Sequence, residues 1–117
     1  MIRVGFYKEL KHGRPDGESL TAALSTSAGP DDTKLVQYLK AGTTMMVAPG
    51  PMRDVLAANV IIGTLEIRTD GTYAWPSDLP HYIERYHARV PAEFTQHVRA
   101  NGFVVPASID LSVVELG

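Results

Sequence analysis

The residues best suited to chemistry in this chain are its histidines and the acids near them. There are four histidines, and three of them, His81, His87 and His97, lie in the last third. A zinc site needs side chains that converge on one point, yet His81 and His87 stand six positions apart and diverge if the segment is helical. Glu93 and His97, at i and i+4, would share a helix face and supply two ligands, with the remainder required from elsewhere. The expectation is therefore no metal and no cofactor, with the histidines on mixed-charge helical surfaces. The chain has no cysteine, so it has neither a disulfide framework nor a thiolate nucleophile.

Other catalytic signatures are missing. Gly13 and Gly17 lead into Glu18 and Ser19 instead of the Lys-Ser/Thr pair of a phosphate loop. No G-x-S-x-G elbow occurs, and the serines fall where caps and loops are expected. Asp31 and Asp32 suit the positive end of a helix dipole better than acid–base work. An enzyme or small-ligand binder would need Asp70, His81, Glu84 or His87 gathered in one polar cleft.

The elements that would position these residues can be read from periodicity. Alternation of Ile2, Val4 and Phe6 with Arg3, Gly5 and Tyr7 predicts a first strand over 2–9. A basic, Gly- and Pro-containing loop follows through Gly17, and Ser19 is placed to cap a brief helical turn through Leu24. Leu35, Val36, Tyr38 and Leu39 recur at helical spacing, which predicts a helix over 31–41 closed by a left-handed Gly42. Thr43 to Ala48 reads as a strand stopped by Pro49, Gly50 and Pro51, with one helical turn over 53–58. Met45 and Met46 read as adaptable core filler.

Val60 to Thr69 predicts another strand, and Asp70-Gly71 predicts a two-residue hairpin turn with positive φ at both positions. That turn would pair Arg68 with Tyr73 and Glu66 with Trp75. Leu65, Ile67 and Ala74 then share one face, and Glu66, Arg68, Tyr73 and Trp75 the other. Two aromatics beside an Arg are a candidate recognition surface. The alternative is that helices cover the rings, with Glu66 and Arg68 pairing at the sheet edge and Trp75 lying under Tyr82 and Tyr86. Ser77 as a cap and Leu79, Tyr82, Ile83 and Tyr86 on one stripe predict a helix over 78–88. Pro91 opens a third helix over 91–101, stopped by Asn101-Gly102, and the tail from Asp110 reads as either helix or edge strand.

At 117 residues the chain is expected to be one domain. Its order β-α-β-β-β-α-α predicts an α+β fold with a small, mostly antiparallel sheet of about four strands and helices packed on one face. A net charge of −2 and a pI near 6.0 disfavour nucleic acid as a partner. No apolar run approaches membrane-spanning length, and no secretory leader is apparent, so a cytoplasmic protein away from membranes is expected.

The segment from Thr69 to Phe94, TDGTYAWPSDLPHYIERYHARVPAEF, resembles that of small uncharacterised bacterial proteins, mostly actinobacterial, as do the opening IRVGFYKEL and the GRPDGESL loop. The resemblance implies no activity and no catalytic residue. Among functional analogies, compact, acidic, cysteine-free immunity-type proteins come nearest. The expectation is a non-catalytic protein-interaction module, with candidate contacts at Arg68, Tyr73, Trp75, His81, Glu84, Arg85 and Arg89. Homodimerisation fits the same reading, since small sheets with an exposed edge commonly pair.

Overall fold

The computed structural model describes residues 1–107 and 109, and the expected helix or edge strand over 110–116 lies outside them. The fold is α+β. Its elements in chain order are β1 (Ile2–Arg3), α1 (Leu20–Ala23), α2 (Asp32–Lys40), β2 (Thr43–Asp54), β3 (Ala57–Thr69), β4 (Tyr73–Pro76), α3 (Leu79–Tyr86) and α4 (Ala92–Ala100). The four strands form one mixed sheet in the order β1-β4-β3-β2, with β1 parallel to β4 and the other two pairs antiparallel.

Trp75 organises the core. It is fully buried, donates from Nε1 to the Leu39 carbonyl at 3.1 Å, and lies beside the rings of Tyr38 and Phe94. Its aromatic neighbours thus come from α2 and α4; Tyr82 and Tyr86 instead stack on each other. Tyr73 is also buried against Phe94, so this sheet face is covered by helices. Opposite it, Phe6, Ile67 and Ala74 form a small second core with Met1, Met45 and Leu65.

Several local expectations need correcting. The first strand is only two residues long, because Gly5, at φ +79°, turns the chain into a compact loop that returns through the Lys8 N–H to the Glu18 carbonyl. Gly42 does not have positive φ; a Cβ there would stand 2.5 Å from Trp75 Cζ2, so glycine is required for close approach. Pro49-Gly50-Pro51 does not end β2. Val47 pairs with Glu66 and Pro51 with Thr64, leaving Ala48 to Gly50 opposite Leu65 alone in a wide bulge. Residues 53–58 form a hairpin turn, not a helical one.

The Asp70-Gly71 turn is real but longer than two residues. Thr69 pairs with Ala74 and Arg68 with Trp75. Only Gly71 has positive φ, because the Asp70 side chain holds the turn by accepting from the Thr72 and Tyr73 N–H groups. The shift is by two residues, so each side chain keeps its expected face. Ser77 does not cap α3; its hydroxyl bonds to Glu66 N and Thr64 O, and Asp78 occupies the cap position.

Candidate functional site

Three aspartates are buried almost completely, and each has a histidine beside it. Two of them repeat one arrangement at the two hairpin turns. At the β2–β3 turn, Asp54 Oδ1 accepts from Leu56 N at 2.7 Å and Ala57 N at 3.1 Å, while Oδ2 lies 2.8 Å from both His81 Nε2 and the Tyr86 hydroxyl. At the β3–β4 turn, Asp70 Oδ1 accepts from Thr72 N and Tyr73 N, and Oδ2 takes the Tyr38 hydroxyl at 2.6 Å and His97 Nε2 at 2.8 Å. In each case one oxygen closes the turn and the other ties it to helices, α3 for Asp54 and both α2 and α4 for Asp70.

Burial raises the Asp54 carboxyl, but the hydrogen bonds from His81, Tyr86 and Leu56 outweigh it and leave the group below its ordinary range. Asp70 follows the same balance, with Tyr38, the two turn N–H groups and His97 overcoming burial. The phenols respond oppositely. Tyr86 is raised chiefly by its bond to Asp54, and Tyr38 by burial and then by Asp70. Burial pushes Tyr82 up to about 12, and its hydroxyl accepts from Val55 N at the first turn. A carboxylate only accepts, so each histidine presents a protonated Nε2 to its aspartate. The Asp54 and Asp70 carboxylates and the Tyr38 and Tyr86 hydroxyls are thus engaged in internal bonds, which suits anchoring better than proton transfer.

The third pair differs. His12 Nε2 lies 2.9 Å from Asp78 Oδ2, an ion-pair distance, but without hydrogen-bond alignment, so neither Asp78 oxygen has a hydrogen-bond partner among the described residues. Sequence spacing concealed all three pairs, because each joins residues 27 or more positions apart. The one usable signal was an Asp beginning each hairpin turn.

The expected polar cleft does not assemble. Asp70 belongs to the His97 cluster and His81 to the Asp54 cluster. His87 has left-handed φ at the end of α3 and lines a shallow depression with Lys40 and Glu84. His81 and Glu84 line an adjoining hollow of about 240 Å³ with Lys40 and Arg68. No group of three or more metal-ligating side chains occurs among the described residues.

The expected interaction surface is also reduced. Tyr73 and Trp75 are in the core and cannot contact a partner. Arg68 reaches back to Glu66 at 3.4 Å and to the Lys40 and Gly42 carbonyls. Arg89 is held by Ser25, the Ser27 carbonyl and Asp32. Glu84 and Arg85 remain exposed, with Arg85 over the Tyr86 ring.

The surface that sequence reading missed is the β2–β3 hairpin. Five of the seven exposed large apolar side chains among the described residues lie on it, with Met46 55%, Val47 61% and Ile61 56% exposed. Between Thr43 and Leu65 the only charged residues are Arg53 and the buried Asp54. The bulge at Ala48 to Gly50 breaks the alternation that would otherwise have sorted these residues by face. A groove of about 830 Å³ separates the hairpin from the Glu9–His12 loop. No helix among the described residues is long and apolar enough to cross a membrane. Compared with protein-family models, curated proteins and solved structures, the chain matches none.

Proposed function

We propose that this protein is a non-catalytic protein-interaction module whose contact element is the β2–β3 hairpin. The observation that carries the reading is the concentration of exposed apolar side chains, Met46, Val47, Val55, Leu56 and Ile61, on a hairpin that carries almost no charge between Thr43 and Leu65. Exposed apolar side chains gathered on one element favour an association surface, whereas peripheral membrane segments favour a strongly basic polar face. A single Arg does not supply one. β2 is the outermost strand, but Pro49 and Pro51 lack N–H groups and the bulge disrupts the edge. Contact through side chains therefore fits better than continuous strand addition. The immunity-type analogy belongs to this reading, with a toxin-like protein as its partner.

The test is quantitative co-purification from the source lysate with the wild-type chain, a Val47→Glu/Ile61→Glu variant and a Glu84→Lys/Arg85→Glu variant. The reading expects a stoichiometric partner lost with the hairpin variant and retained with the helix variant. Absence of any such partner, or loss with the helix variant alone, would defeat it. Light scattering on the purified chain shows whether the partner is a second copy.

A further inference from the structure

The groove between the hairpin and the Glu9–His12 loop has a composition that selects its occupant. Leu10, Met52 and Leu65 give it an apolar floor, with Pro51 and Val55 along the strand side. Both acids that line it are engaged elsewhere. Glu9 caps α1 by accepting from Leu20 N at 2.7 Å and Thr21 N at 3.0 Å, and Asp54 is consumed by the hairpin turn. The two fixed cations that line it, Lys11 and Arg53, are exposed and form no ion pair with any described residue. Among the described residues, the Arg53 guanidinium makes one hydrogen bond, from Nη1 to the Ala58 carbonyl. An apolar trough on a chain of net charge −2 is thus bordered by two cations on different elements that have no ion-pair partner among the described residues, while the ionised Glu9 carboxylate is held at the start of α1. Residues 48–55 run along it.

The geometry points to this groove as the seat of an extended peptide segment of the partner, one that combines aliphatic with acidic side chains. This rests on the protein-interaction reading and names the chemistry of the partner. Aliphatic side chains enter the floor, and carboxylates meet Lys11 on the loop and Arg53 on the strand. Two cations on separate elements favour a chain bearing several carboxylates over a lipid with one.

Selection of random dodecapeptides displayed on phage against the immobilised full-length protein tests this directly. Enriched sequences should pair Asp or Glu with Leu, Ile or Val. Anisotropy titration of an enriched peptide should show at least a tenfold loss of affinity for Lys11→Glu/Arg53→Glu, a smaller loss for Lys11→Gln/Arg53→Gln, and weakening at high salt. Both sites are exposed, and circular dichroism checks that the variants fold. No enrichment, enriched peptides without acids, binding indifferent to the charge reversal, or dodecanoate displacing the peptide with the same charge dependence would each overturn the proposal. Failure here with hairpin-dependent co-purification intact would reject the groove and leave the broader reading standing.

Discussion

Asp54 and Asp70 each fasten a hairpin turn to the helices through a buried carboxylate. Each carboxylate accepts four hydrogen bonds and joins a turn to one or two helices. Replacing either by Asn removes a charge from charge-assisted bonds and should cost about 2–4 kcal/mol in urea unfolding at pH 7. Asp78 has no such bonds among the described residues, so Asp78→Asn should cost far less than either. The pH dependence has a definite sign. Both clamped carboxyls lie below the ordinary 3.8 when folded, so their stabilisation is present above that value and is lost as pH falls below it toward the folded values. Wild-type stability should therefore drop through that acid range, and Asp54→Asn/Asp70→Asn should flatten the drop; an unchanged acid limb would contradict the assignment.

Among the elements, the helices were the most legible in the sequence. The stripes Leu35, Val36, Tyr38, Leu39 and Leu79, Tyr82, Ile83 give the observed buried faces of α2 and α3, and the boundaries agree within two residues. Strand ends were harder to place. Proline in a strand ordinarily ends it, and nothing local announced that an outer strand could carry Pro49 and Pro51 through a bulge. Gly42 shows the same limit, because the reason for glycine is Trp75, a neighbour 33 positions away. Gly42→Ala should cost about 1–3 kcal/mol through displacement of the indole. As the chain's one tryptophan, Trp75 reports on this directly, with emission expected to shift to the red in the variant.

Across the whole molecule, charge and apolar surface are segregated. Ion pairs such as Arg99 with Asp31 and Arg89 with Asp32 lie at and beside the helices, while the hairpin carries only Arg53 and the buried Asp54 between Thr43 and Leu65. The α+β class and the helix-covered sheet were visible from element order, but the functional candidate was not. Burial of Tyr73 and Trp75 and exposure of Met46, Val47 and Ile61 depend on which sheet face and which edge the helices leave open. Apolar residues in a strand look alike in sequence whether they are covered or bare. Because the hairpin turn is fixed by Asp54, loosening that clamp should also weaken partner binding: Asp54→Asn should reduce co-purification more than Asp70→Asn at equal loss of stability.

Hydrogen–deuterium exchange on the protein with and without its co-purified partner tests the central claim most directly. Slowed exchange concentrated between residues 44 and 64, with Glu84 and Arg85 unaffected, is the predicted result. Protection confined to α3, with the hairpin exchanging as in the free chain, would contradict it.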